Sequence, residues 1–277
     1  MLNQFGSSVK KAKKKKRPEP RTATFLIVGV MKASTTTAAK ILSSREDISF
    51  TYNELHYFDK ADNFSKGKAW YEAHFEAGKK ERGEKTPVYS FYPEAIRRIH
   101  EYNPKMKLVL MLRDPVTRAY SQYNHMRQQT KKLGAACFLK VDLKKTFREY
   151  LEMDEAKDGE PVTLDKTAPQ TMLRRGYYME QIDNILKLFP KEQLLVLTQE
   201  RYNADPLAEN NRIFSFLNLP PLTALEPVHE HARSYEEEML AEDKEWLAGK
   251  YAAHNEKLFE FLGYRIPEWT TPAEDQK

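Results

Sequence analysis

A lysine and four hydroxyl side chains crowd into "GVMKASTTT", residues 29–37. Backbone amides at the start of a helix bind anions, because the first turn leaves N–H groups unpaired and the helix dipole is positive there. Lys32, Ala33, Ser34, Thr35, Thr36 and Thr37 are therefore candidates to hold a phosphate. An ATP-binding loop reads G-x-x-x-x-G-K-[ST]. Counted from Gly29, its second glycine falls on Ser34 and its lysine on Thr35, so Lys32 stands three residues early. That layout suits one 5′-phosphate cradled by amides and hydroxyls, with Lys32 beside a group transferred from it. A second set is Arg113 and, eight residues on, Ser121. Arginine offers a planar fork for phosphate, and serine a small hydroxyl donor.

The elements that must position these residues are legible as hydrophobic runs and periodicities. "TFLIVGV" (24–30) reads as a strand buried on both faces, and "STTTAAKILSSR" after it as a helix whose threonines can cap the first turn. "KLVLMLRDP" (107–115) is a second buried strand and "QLLVLTQERY" (193–202) holds a third. Helices are expected over 69–78, 93–104, 116–132, 177–190, 206–219 and 239–264. Charged helical material lies around 142–156 and a polar loop at 157–170. Strands alternating with helices give an α/β fold, one domain with a central, mainly parallel sheet flanked by helices. Arg113 then falls at the carboxyl edge of the sheet, where such folds bind ligands.

Taken together, these motifs resemble those of the PAPS-dependent sulfotransferases, PAPS being 3′-phosphoadenosine-5′-phosphosulfate. The family's G-x-x-K-[SAG]-G-T-T loop aligns with Gly29 to Thr36, its second glycine replaced by Ser34. Its L-R-[DN]-P-x-x-R-x-x-S pattern, which binds the 3′-phosphate, matches "LRDPVTRAYS" and maps to Arg113 and Ser121. "EKTPVY" (84–89) resembles the E-K-[ST]-P-x-Y segment of the heparan-type and bacterial branch, which implies that Lys85 approaches the sulfuryl group or the acceptor. "NELHYFD" (53–59) resembles K-E-x-H-F-F-D, where the glutamate is the catalytic base. The base is then Glu54, with His56 in reserve because cytosolic sulfotransferases use histidine. The family's lysine there is Asn53, one cation fewer for a polyanionic acceptor. The same resemblance places Tyr178 near the nucleotide and Arg233, in "HARSY" (231–235), on the loop that closes over it. It implies a P-loop NTPase-like sulfotransferase fold, sulfuryl transfer from PAPS to a hydroxyl, and PAP as product. The alternatives are a P-loop kinase, or a non-catalytic nucleic-acid binder acting through its tail.

Composition sets the frame. The 277 residues carry 12% aromatics and a net charge of +5, enough apolar material for a sizeable core. Residues 1–22 hold six Lys, two Arg and one Glu, a net +7, which leaves −2 for the rest. Like charges with nothing apolar to bury make this segment a tail: a solubilising extension, a nuclear address or an attraction to anionic surfaces. The domain is expected over 23–266, followed by a tail over 267–277. A single cysteine, Cys137, excludes an internal disulfide. No run reaches the ~20 apolar residues of a membrane span, and no Cys/His set or acidic cluster points to a metal. A cytoplasmic enzyme is expected, acting on a small molecule, with a glycan acceptor as the alternative and no specific nucleic-acid partner.

Overall fold

The computed structural model describes residues 21–137, 140–165, 171–225 and 238–269. Chain order runs β1 (Phe25–Gly29), α1 (Thr35–Ser43), β2 (Ile48–Thr51), α2 (Ala61–Phe64), α3 (Gly67–Glu72) and β3 (Glu81–Lys85). It continues through α4 (Pro93–Tyr102), β4 (Lys107–Leu112), α5 (Pro115–Leu133), α6 (Phe147–Glu155), α7 (Tyr178–Leu186) and β5 (Leu194–Thr198). It closes with α8 (Gln199–Ala204), α9 (Pro206–Phe216) and α10 (Ala241–Leu262). The strands form one sheet in the order β2-β3-β1-β4-β5, every neighbouring pair parallel.

β1 lies in the middle and is buried along its whole length, as its unbroken apolar sequence requires. β3, its neighbour, was not legible as a strand because four of its five residues, Glu81, Arg82, Glu84 and Lys85, are charged. The two charges at the middle of the strand find partners in the fold. Glu84 is fully buried and accepts from the hydroxyls of Thr86 at 2.7 Å and Tyr71 at 3.4 Å. The Arg82 guanidinium donates to the Thr22 carbonyl at 2.8 Å. Gly83 is required there, since a Cβ would stand 2.6 Å from the Phe25 carbonyl oxygen.

The 193–202 segment divides after Thr198, its end turning into α8. Within the 239–264 segment, Ala241–Leu262 is one continuous helix. A second, smaller core joins α5, α6 and α10 around Tyr123, Phe147, Leu151 and Tyr251. Trp269 packs against Tyr178 and Phe259. Among the described residues, no helix is long and apolar enough to cross a membrane.

Candidate active site

Parallel pairing brings the carboxyl ends of the strands to one edge, where Lys85 ends its strand and the β1–α1 loop, Arg113 and Glu54 follow theirs. The loop after β1 is anchored at its base by two bonds. The Val30 N–H donates to the Met111 carbonyl at 2.7 Å, and the Thr86 N–H to the Ile27 carbonyl at 3.2 Å. Gly29 fits only because it lacks a side chain, since a Cβ would lie 2.2 Å from Ser90 Oγ. Lys32 and Ser34 both adopt left-handed backbone, with φ of 72° and 55°. For a residue with a Cβ this conformation costs about 1–2 kcal/mol. Ser34, at the family's glycine position, is thus a strained residue, and its hydroxyl reaches Asn203 Oδ1 at 3.4 Å.

Ser34 is also the N-cap of α1, yet no side chain caps that helix. Thr35, Thr36 and Thr37 lie inside the first turn instead of capping it, a correction to the sequence expectation. The turn therefore presents amides and hydroxyls together, with no acidic residue to compete.

Arg113 leaves the end of β4 and turns toward this loop. Its Nη1 donates to the Lys32 carbonyl at 3.1 Å and its Nε to Thr117 Oγ1 at 3.2 Å. Asp114 caps α5, accepting from the amides of Val116 at 3.3 Å and Thr117 at 3.0 Å. Ser121, buried, lies one turn beyond Thr117 on the same helix face. Tyr178 is buried, and its hydroxyl donates to the Arg113 carbonyl at 2.6 Å. Arg233 lies outside the described residues.

On the other side of β1, Lys85 ends β3 and Glu54 follows β2. Lys85 Nζ donates to Glu54 Oε1 at 3.0 Å, and His56 Nε2 lies 3.5 Å from Glu54 Oε2. His56 Nδ1 bonds Asp59 Oδ2 at 2.8 Å. Burial alone would raise the Glu54 pKa, but the His56 hydrogen bond and the Lys85 charge outweigh it and hold it at about 2. Burial alone would lower His56; its bonds to Asp59 and Glu54 overcome this and lift it to about 9. At neutral pH Glu54 is therefore a carboxylate and His56 a cation, with Lys85 Nζ on the other carboxylate oxygen. Asp59 was not singled out from the sequence, although its place three residues after His56 was the available signal. Thr117, one turn after Arg113, was missed in the same way.

The model of the sulfotransferase domain matches residues 22–241. The chain belongs to the sulfotransferase family. Relatives include heparan sulfate glucosamine 3-O-sulfotransferase 6 of Mus musculus, 34% identical over 201 residues, which are 70% of this chain and 52% of the relative. Heparan sulfate glucosamine 3-O-sulfotransferase 5 of Homo sapiens is 29% identical over 198 residues, 71% of this chain and 53% of the relative. The chain thus spans about half the length of the curated relatives it matches. A crystal structure of a sulfotransferase from Alicyclobacillus acidocaldarius has the same fold, with a TM-score of 0.71 at 23% identity, covering 89% of this chain and 98% of that one.

PAPS is the sulfuryl donor of the family, and the donor set along the sheet edge fits it. An uncapped helix start carrying hydroxyls suits a 5′-phosphate. The Arg113 guanidinium, bonded to Thr117 and to the Lys32 carbonyl, suits a separate 3′-phosphate. Among the described residues, no group of three or more His, Cys, Asp or Glu side chains could hold a metal ion.

Proposed function

We propose that this chain transfers a sulfuryl group from PAPS to an acceptor hydroxyl, with Glu54 as the base. The observation that carries the reading is the placement of Glu54. It sits against Lys85 and His56, at the sheet edge that also carries the uncapped α1 turn and Arg113.

The amides at the start of α1, with Thr35, Thr36 and Thr37, hold the 5′-phosphate. Arg113 and Ser121 hold the 3′-phosphate, which distinguishes PAPS from ATP. When bound, PAPS supplies a sulfur electrophile with a phosphate leaving group. Lys32 and Lys85 stabilise the negative charge that grows at the leaving oxygen and the sulfuryl oxygens, which is where fixed cations accelerate a transfer. Glu54 takes the acceptor proton. A carboxylate at about 2 is a weak base toward a ground-state alcohol. Proton transfer therefore accompanies bond formation, when the hydroxyl is losing electron density. His56 is a cation at neutral pH, held by Asp59, so it orients Glu54 and does not accept the proton itself.

The names of the relatives point to a saccharide hydroxyl as the acceptor. One observation favours a second reading, a small, weakly charged alcohol. Asn53 stands where the branch has lysine, and Tyr52, 40% exposed, places its ring 5.7 Å from Lys85 Nζ, aromatic surface beside that cation. The test is PAP release from PAPS, followed by mass spectrometry of the products, with three acceptors: an N-sulfated heparan oligosaccharide, a neutral oligosaccharide and a simple phenol. Sulfated oligosaccharide is the expected product. Sulfation of the phenol alone would move the assignment to the second reading, and no sulfated product from any of the three would count against the first.

A further inference from the structure

The peptide group between Arg113 and Asp114 is held on both of its polar sides by elements remote in sequence. Its carbonyl accepts from the Tyr178 hydroxyl at 2.6 Å. Its N–H donates to Glu200 Oε1 at 2.9 Å. Tyr178 opens α7 and Glu200 lies in α8, just past the end of β5. Both are committed to this task. The Tyr178 side chain is only 1% exposed. The other oxygen of Glu200, Oε2, is buried without a hydrogen-bond partner, so the carboxylate is spent on this single N–H.

The reason to hold a peptide so firmly lies in what hangs from it. β4 ends at Leu112 and α5 begins at Pro115, so this peptide is the hinge between sheet and helix. The Arg113 side chain is a long lever from that hinge, and its guanidinium must meet both Thr117 Oγ1 and the Lys32 carbonyl. A small rotation of the peptide swings the guanidinium by far more at its tip. Displacements of ~1 Å in a binding group are enough to cost orders of magnitude in function.

We infer that Tyr178 and Glu200 are positioning residues that clamp the Arg113–Asp114 peptide and thereby preset the guanidinium for the 3′-phosphate of the donor. The inference rests on the donor reading given above. It also gives Tyr178 a role different from contact with the nucleotide.

The clamp is tested by calorimetric titration of PAP and of AMP, which lacks the 3′-phosphate, into the wild type, Tyr178→Phe, Glu200→Met and Glu200→Gln. Tyr178→Phe and Glu200→Met should each weaken PAP binding about tenfold and leave AMP within about twofold. Glu200→Gln keeps a carbonyl oxygen for the Asp114 N–H and should retain wild-type discrimination. AMP binding reports on the fold of each variant, and if Tyr178→Phe does not fold, the two Glu200 variants decide. Equal losses for both nucleotides, or unchanged PAP affinity, would overturn the clamp. A wild type that binds PAP no better than AMP would instead overturn the donor reading, and the clamp with it.

Discussion

Glu54→Gln should lower turnover by about 10²–10⁴-fold, the usual contribution of a positioned base, while leaving PAP affinity within about twofold of the wild type. The amide matches the carboxylate in size and can still accept the bond from Lys85 Nζ. It cannot take a proton. The residues assigned to the donor lie on the β1–α1 loop, at the end of β4 and on α5, whereas Glu54 pairs with Lys85 and His56. Binding and chemistry should therefore separate. Steady-state turnover with titration of PAP checks both halves. Unchanged turnover would remove Glu54 from the mechanism. Loss of PAP binding would instead show that the pair with Lys85 holds the site together.

Lys32→Ala should lower kcat by about 10²–10³-fold, the scale of removing one charge-stabilising donor. The loop itself should survive. Alanine also carries a Cβ, so the cost of a φ of 72° is unchanged, and Arg113 grips the Lys32 carbonyl, not its side chain. PAP retains a 5′-phosphate and will lose some affinity, but the loss in kcat should exceed it, because charge on the leaving oxygen is greatest in the transition state. Single-turnover rates measured beside PAP affinity check the split. Equal losses in both would reduce Lys32 to a ground-state binding residue.

The strands that frame the site differ in how legible they were. β1, β4 and β5 announce themselves as apolar runs because both faces of a central parallel sheet are covered. β3 does not, because its charges find partners only once Tyr71, Thr86 and Thr22 are folded around it. β2 is a four-residue edge strand with no distinctive run.

Residue types in order were enough to suggest the β1–α1 loop and Arg113 as phosphate candidates, since both stand at strand ends, and the eight-residue spacing from Arg113 suggested Ser121 on α5. The backbone of the loop was not legible. That Ser34 occupies left-handed space follows from the path between β1 and α1, not from its identity. Nor could sequence choose between Glu54 and His56. The proposal of Glu54 as the base rests on Asp59, which lifts His56 to about 9, and on Lys85, which reaches Glu54 from another strand.

The central claim is that this sheet edge is built for a nucleotide with phosphates at both the 5′ and 3′ positions. The most direct measurement is calorimetric titration of the full chain with PAP, AMP and ATP–Mg²⁺ under one set of conditions. PAP should bind at least about tenfold more tightly than either, since only it engages Arg113 and the α1 turn together, a difference of about 1.4 kcal/mol. ATP–Mg²⁺ binding more tightly than PAP would contradict the account and point to a phosphoryl-transfer enzyme.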